Sequence, residues 1–216
     1  MASPTSLIQY WDQPDPPVVI AERMQGWRQQ HLGWDYQCFD RPSAAAFLRE
    51  HYNLALEQAF LDIRLPAMQA DVFRIAFVLA CGGLWVDAAT TCFSPVESWL
   101  DLQTPLLLLR KPHQQHPKVC TGLIHAPTPG HPLLSAAWQS MTASLLARSG
   151  TKVYRCFGPG LLRDLLASGA WDDTLSVRPV TELQEHLRFG SSSKLLPAEK
   201  HWSKRQQSES LYFSGG

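Results

Sequence analysis

The stretch QADVFRIAFVLACGGLWVDAATTC, Gln69 to Cys92, decides how the rest of the chain is read. Its first half has the length and composition of a helix that is apolar on nearly every side, and Pro66 just ahead of it suits a first helical turn, where a missing N–H costs little. Gly82-Gly83 supplies the left-handed conformation that stops a helix. Leu84 to Asp87 then reads as a short strand, with Leu84 and Val86 on one face and Trp85 and Asp87 on the other. The anomaly is charge. Asp71 and Arg74 stand three residues apart, share a helix face and can pair. A buried ion pair typically does not recover its desolvation against an apolar replacement, so a pair set among Val, Phe, Ile, Ala and Leu points to a role beyond stability. Asp87 lies at the carboxyl end of a strand, where α/β sheets bind ligands in the crevice beyond the strand ends.

The whole chain suits one compact domain: 216 residues, 45% hydrophobic and 18% charged, enough to bury a sizeable core. Lys plus Arg and Asp plus Glu both number 19, so no global basic field attracts nucleic acid or an anionic membrane. The five cysteines, Cys38, Cys81, Cys92, Cys120 and Cys156, are odd in number and far apart, and they indicate neither a disulfide framework nor a zinc ribbon. The N-terminus lacks a basic region followed by an apolar one, and no apolar run approaches the roughly 20 residues that span a bilayer. A soluble cytoplasmic protein is expected.

Outward from the central stretch, Leu7 to Trp11 reads as a strand stopped by DQPDPP, Ala21 to Gln30 as a helix, and Trp34 to Asp40 as a second strand. Ser43 fits as N-cap of the helix that follows, and Leu54 to Asp62 as a further helix. This strand and helix alternation is the rhythm of an α/β sheet. Beyond Asp87 come a short helix in SPVESWL, strands in PLLLLRK and KVCTGLIHA joined by PHQQHP, and an amphipathic helix in HPLLSAAWQSMTASLLAR. The segments TKVYRCF, GPG, the helix LLRDLLAS, the strand LSVRPV and the helix TELQEHL complete the chain before SSSKLLPAEKHWSK. The polar end, QQSESLYFSGG, is expected to fray. His113, His116 and Cys120 have a tempting spacing, but a solvated hairpin loop explains it, because zinc needs three or four convergent ligands. His125, His131 and Trp138 are read as structural.

From Ala70 to Asp87 the residues carry a resemblance. Asp71, Arg74, Gly82, Gly83 and Asp87 fall at the spacing of the sugar-binding-region glycosyltransferases, whose motif is written with a D-x-D. That group takes in the initiating mannosyltransferases of the Golgi, the capsular polysaccharide synthesis proteins and, more remotely, the large glucosylating toxins. LIQYW before a proline-rich loop is similar to the family's opening strand, TGLIHAPTPGHPLL to the segment after the sugar-binding region, FGPGLL to its T-G-P-G, and KLLPAEKHW to its C-terminal His-Trp. The capsular polysaccharide branch is the nearest in pattern, because some of its members also read D-A after the aromatic strand.

The resemblance implies a single GT-A-like α/β domain over residues 1–203, a central mixed sheet flanked by helices, with 204–216 as tail. It implies retaining transfer of a hexose from a nucleotide-sugar donor to a glycan or polysaccharide acceptor, with peripheral association at the inner face of a membrane. Asp71 and Arg74 would hold donor or ribose hydroxyls, and Asp87 would contact ribose, sugar or metal, with Asp87 and Arg74 as the catalytic pair. Trp11 would lie near the base. Gly158, Pro159 and Gly160 would let backbone approach the donor, and His201-Trp202 would close over the diphosphate. The implied cofactor is a divalent cation, Mn2+ or Mg2+, held by Asp87 and His201. One departure matters: Ala89 stands where the second acid of the D-x-D belongs. The alternative reading is therefore a nucleotide-sugar-binding protein that has lost turnover.

Overall fold

Short runs rich in β-branched, leucine and aromatic residues pair side by side because each has one or both faces to bury. In the computed structural model, which describes residues 5–112, 118–149, 152–169, 171, 175–190 and 209–213, strand β1 (Ser6–Tyr10) lies parallel between β2 (Asp35–Phe39) and β3 (Gly83–Val86). An antiparallel strand, β6 (Lys118–Ala126), pairs with β3 and with β5 (Leu107–Lys111), and β7 (Ser176–Pro179) closes the far edge parallel to β5. The order β2-β1-β3-β6-β5-β7 is a mixed six-stranded sheet in a single α/β domain. A separate ribbon joins β4 (Thr91–Cys92) to β8 (Leu187–Arg188).

Alternation along the strands sorts the side chains into two cores. Ile8, Tyr10 and Trp85 face helices α2 (Arg41–His51), α3 (Leu54–Leu61), α4 (Pro66–Cys81) and α5 (Pro132–Leu146). Leu7, Leu84 and Val86 face the other way, against Trp27 of α1 (Val18–Gln30). Two short helices, α6 (Val153–Cys156) and α7 (Pro159–Leu166), pack on the α5 side.

The Gly-Gly stop behaves as its sequence demands. Gly82 and Gly83 take φ values of 72° and 98°, in the region that favours glycine. A Cβ on Gly83 would also stand 2.8 Å from the carbonyl oxygen of Ser6, so glycine is what lets β3 settle beside β1. The expected cap at Ser43 is corrected by one turn. Asp40 is the N-cap of α2, its carboxylate accepting from the Ser43 N–H, while Ser43 Oγ accepts from the Asp40 N–H. The segments expected as short helices near residues 96 and 180 form single 3₁₀ turns, Val96–Ser98 and Val180–Leu183.

The tail differs from expectation within residues 209–213. Leu211 and Tyr212 are buried, Tyr212 forms a bridge with Ile63, and the Phe213 N–H donates to Asp62 O at 2.9 Å. Two apolar side chains in a polar tail are enough to dock it against the α3–α4 junction. Among the described residues no helix is long and apolar enough to cross a membrane.

His125 on β6 is fully buried with neither ring nitrogen hydrogen-bonded. Burial pushes its imidazole down to about 4, against a weaker opposing pull from Asp101. The folded state therefore favours neutral His125, and stability present above the unfolded value near 6.5 is lost as pH falls toward 4, by up to about 3 kcal/mol. His125→Leu should flatten this acid limb in urea denaturation measured from pH 7 to 4. An unchanged limb would assign it to other groups.

Candidate functional site

Arg74 is the hub. Its position on α4 sends a long side chain under the carboxyl end of β3 and the amino-terminal half of β6, and the guanidinium is almost fully enclosed. Nη2 pairs with Asp71 Oδ1 at 3.0 Å and with Asp87 Oδ1 at 3.4 Å. Nη1 donates to Thr121 O at 2.6 Å, Nε donates to Ala70 O at 3.2 Å, and the guanidinium lies over the Trp85 ring, 5.3 Å from its centroid. The planar fork of arginine serves all these partners at once, which a lysine ammonium cannot do. Asp71 and Asp87, sixteen positions apart in sequence, meet because the helix ends in a turn that folds β3 back beside it.

The two carboxylates differ. Asp87 has a side chain 41% exposed, and its Oδ1 also accepts from the Trp85 Nε1–H at 3.0 Å. Asp71 is enclosed; burial pushes it up to about 7, Arg74 pulls it down, and Asp87 adds to the rise. Asp71 Oδ2 lies against Gly158, the N-cap of α7, where a Cβ would stand 2.9 Å away. Gly122 gives Asp87 similar clearance, its Cβ position being 3.2 Å from Oδ2.

The opposite wall of the crevice comes from β1, α1 and the turn after β3. The Thr90 N–H donates to Asp87 O at 2.9 Å, closing a turn with Ala88 and Ala89 at its corner. Both alanines are buried with Ile20 and Met24 of α1, and Trp11 packs against this group. Arg23 of α1 donates from Nη1 to Ala89 O at 2.6 Å, and Trp27 Nε1 donates to Thr90 O at 2.9 Å. On β1, Gln9 accepts from the Tyr36 hydroxyl at 3.0 Å, while its Nε2 and the Trp11 Nε1 are buried donors with no acceptor.

Asp71, Arg74, Asp87 and Gly158 are thus brought together on the α4 side, with Trp11 across the crevice. Two expectations change. Gly160 faces Tyr154, whose carbonyl would lie 2.6 Å from a Cβ there, so that glycine, together with Pro159 at the start of α7, shapes the α6–α7 junction. Arg74, expected in the catalytic pair, turns its donors to protein partners. His201 and Trp202, like His113 and His116, lie outside the described residues. Gln9, Arg23 and Gly122 were not legible as site residues; the one local signal was a glutamine inside an apolar strand.

No family model matches the chain. It is 23% identical over 193 residues to the initiation-specific alpha-1,6-mannosyltransferase of Schizosaccharomyces pombe, a match covering 76% of this chain and 48% of that protein. The chain therefore spans about half the length of the curated relative it matches. Among solved structures, the PaToxG glycosyltransferase superposes with a TM-score of 0.53 at 11% identity, covering 99% of this chain and 82% of that one. The ligand-free glycosyltransferase domain from the YGT toxin gives 0.52 at 7% identity, covering 93% and 82%. The fold is GT-A-like.

Of the two residues expected to hold a divalent cation, Asp87 stands in the crevice of this GT-A-like domain and His201 lies outside the described residues. Such an ion takes six or more oxygen ligands or retained waters around one or two carboxylates. Asp87 is a single carboxylate, Asp71 Oδ1 is engaged by a guanidinium, and the side chain at 89 is a methyl group facing α1. No group of three or more His, Cys, Asp or Glu converges among the described residues.

Removing the hub strands two acids. Arg74→Ala should lower unfolding free energy by about 3–5 kcal/mol in urea denaturation, the usual cost of breaking a buried pair. Adding Asp71→Asn should recover part of that loss, because the enclosed acid no longer needs a cation. A fully stable Arg74→Ala protein would overturn the clasp.

Proposed function

We propose that this chain is a glycosyltransferase domain that binds a nucleotide-sugar donor across the carboxyl ends of β1 and β3 and transfers a hexose, with retention, to a glycan or polysaccharide acceptor. The observation that carries the reading is the Asp71–Arg74–Asp87 constellation at the end of β3 in a GT-A-like sheet. The choice of hexose, retention and a polysaccharide acceptor is supported by the resemblance to the sugar-binding-region enzymes alone.

In this reading Asp87, the exposed carboxylate, accepts hydrogen bonds from donor hydroxyls, and Asp71 does so from the enclosed side. Charged acceptors make hydrogen bonds roughly twice as strong as neutral ones, which suits a polyol that must be held in one pose. Arg74 fixes both acids before the donor arrives, so orientation is set in advance. Trp11 offers an indole wall and, with Gln9, two unsatisfied N–H groups on one face of β1. These suit an aromatic ring carrying carbonyl acceptors, such as a nucleobase.

Thermal-shift measurement with UDP-, GDP- and other nucleotide sugars, in Mn2+, Mg2+ or chelator, tests the reading. One donor is expected to raise the midpoint of the native protein and fail to raise that of Asp87→Asn, with donor hydrolysis lost in the variant. No stabilisation by any nucleotide sugar would defeat the proposal. Asp71 supplies a pH test. Its folded value lies near 7, so its acceptor strength is gained as pH rises through 7. Donor affinity should rise by up to about tenfold from pH 6 to 8, the change in ionised fraction. The rise should vanish in Asp71→Asn.

A further inference from the structure

Next to the turn at Ala89 lies a cleft of about 350 Å³ that none of the groups described so far fills. One wall is a single face of α1, where Val19, Glu22, Arg23 and Gly26 recur at helical spacing. The other wall is the β4–β8 ribbon, which contributes Thr91, Cys92 and Arg188. Two guanidinium groups thus share one small concavity, and among the described residues neither forms an ion pair with a carboxylate. Arg23 is spent on the Ala89 carbonyl, and Arg188 lies over the Phe93 ring, 5.4 Å from its centroid. Glu22, on the same wall, is the one acid in the lining.

Arg23 is also held in place. Gly190 rests so closely on Ala89 O and Arg23 Nη1 that a Cβ there would overlap both. A long, flexible cation is thereby fixed at the backbone of residue 89, where its carbonyl bond uses only part of the guanidinium fork. The side chain of residue 89 points away, into the apolar group with Ile20 and Met24. Restoring an acid at this position would bury it against α1.

We infer that Arg23 and Arg188 form an anion subsite for a diphosphate, contiguous with the sugar side of the crevice at Asp87. The inference rests on the glycosyltransferase reading for its ligand: the diphosphate is that of the nucleotide-sugar donor. Preorganised guanidinium groups neutralise a phosphoryl charge without reorganising, and they present planar, bidentate donors to its oxygens. A cleft of about 350 Å³ has room for a diphosphate, and the flanking walls are left for the base and sugar.

The test uses inorganic pyrophosphate, titrated calorimetrically into the native protein in chelator at low ionic strength. Saturable binding is expected, weakened roughly tenfold or more in Arg23→Gln and in Arg188→Gln, each losing charge-assisted hydrogen bonds. Arg23→Lys, which keeps the charge, should retain part of the affinity. UDP or GDP should displace pyrophosphate, whereas a sugar monophosphate, standing for a phosphorylated acceptor, should not. Native-like binding in both glutamine variants would overturn the subsite, as would no binding at all by the native protein. Displacement only by the sugar monophosphate would overturn the donor assignment. Pyrophosphate held through Arg23 in a protein that turns over no nucleotide sugar would keep the subsite and defeat the glycosyltransferase reading, so the two failures are distinguishable.

Discussion

The constraint on which the structure turns is the guanidinium of Arg74 between two carboxylates. Asp71 and Asp87 sit close enough to share one nitrogen, and without a cation between them their repulsion would push helix α4 and strand β3 apart. Burying Asp71 and Arg74 costs several kcal/mol per ion, a cost that only a complete set of partners offsets. Arg74 finds that set in two carboxylates, the carbonyls of Ala70 and Thr121 and the Trp85 ring. The Thr121 contact reaches β6, so one side chain ties a helix and two antiparallel strands at the end of the sheet where the crevice opens. A protein needing only stability would have used leucine here.

Everything needed to bring those groups together is backbone geometry set by glycine. Gly82 and Gly83 reverse the chain in conformations that other residues resist, and Gly83 admits β3 to the side of β1. Because a strand alternates, the same four residues that pack Leu84 and Val86 toward α1 must aim Trp85 and Asp87 toward α4. Gly158 and Gly122 then clear space around the two carboxylates. The local order is therefore glycine, acid and arginine acting as one unit, with the apolar helix as its scaffold.

What was legible in the amino-acid sequence was what depends on near neighbours. Helix α4, its stop, the direction of Asp87 and the pairing of Asp71 with Arg74 all follow from spacings of three to five residues, and all are present. The cap at Asp40 was missed because Asp40 and Ser43 cap each other, and either alone fits the pattern. Arg23 was invisible for a different reason. Its partner carbonyl lies 66 positions away, and nothing in VVIAERMQGW distinguishes that arginine from a solvated one. At the GPG turn the sequence does not announce that Gly160 packs against Tyr154, a partner on the neighbouring helix that no periodicity marks. Leu211 and Tyr212 show the converse, two apolar side chains whose burial the surrounding polar residues masked.

The alanine at residue 89 acquires a physical meaning from the charges around it. On the α4 side two acids share one arginine, leaving an excess of acceptors suited to hydroxyl groups. On the α1 side two arginines face one acid, leaving an excess of donors suited to phosphoryl oxygens. A carboxylate at residue 89 would be buried against Ile20 and Met24, a costly place for a charge without a partner. An alanine buried there removes that cost and leaves the polarity of the crevice intact. A nucleotide sugar carries the matching polarity, a neutral polyol at one end of its anionic diphosphate and an aromatic base at the other. An uncharged residue 89 thus keeps the acids of the α4 side and the arginines of the α1 side apart as two regions of opposite charge.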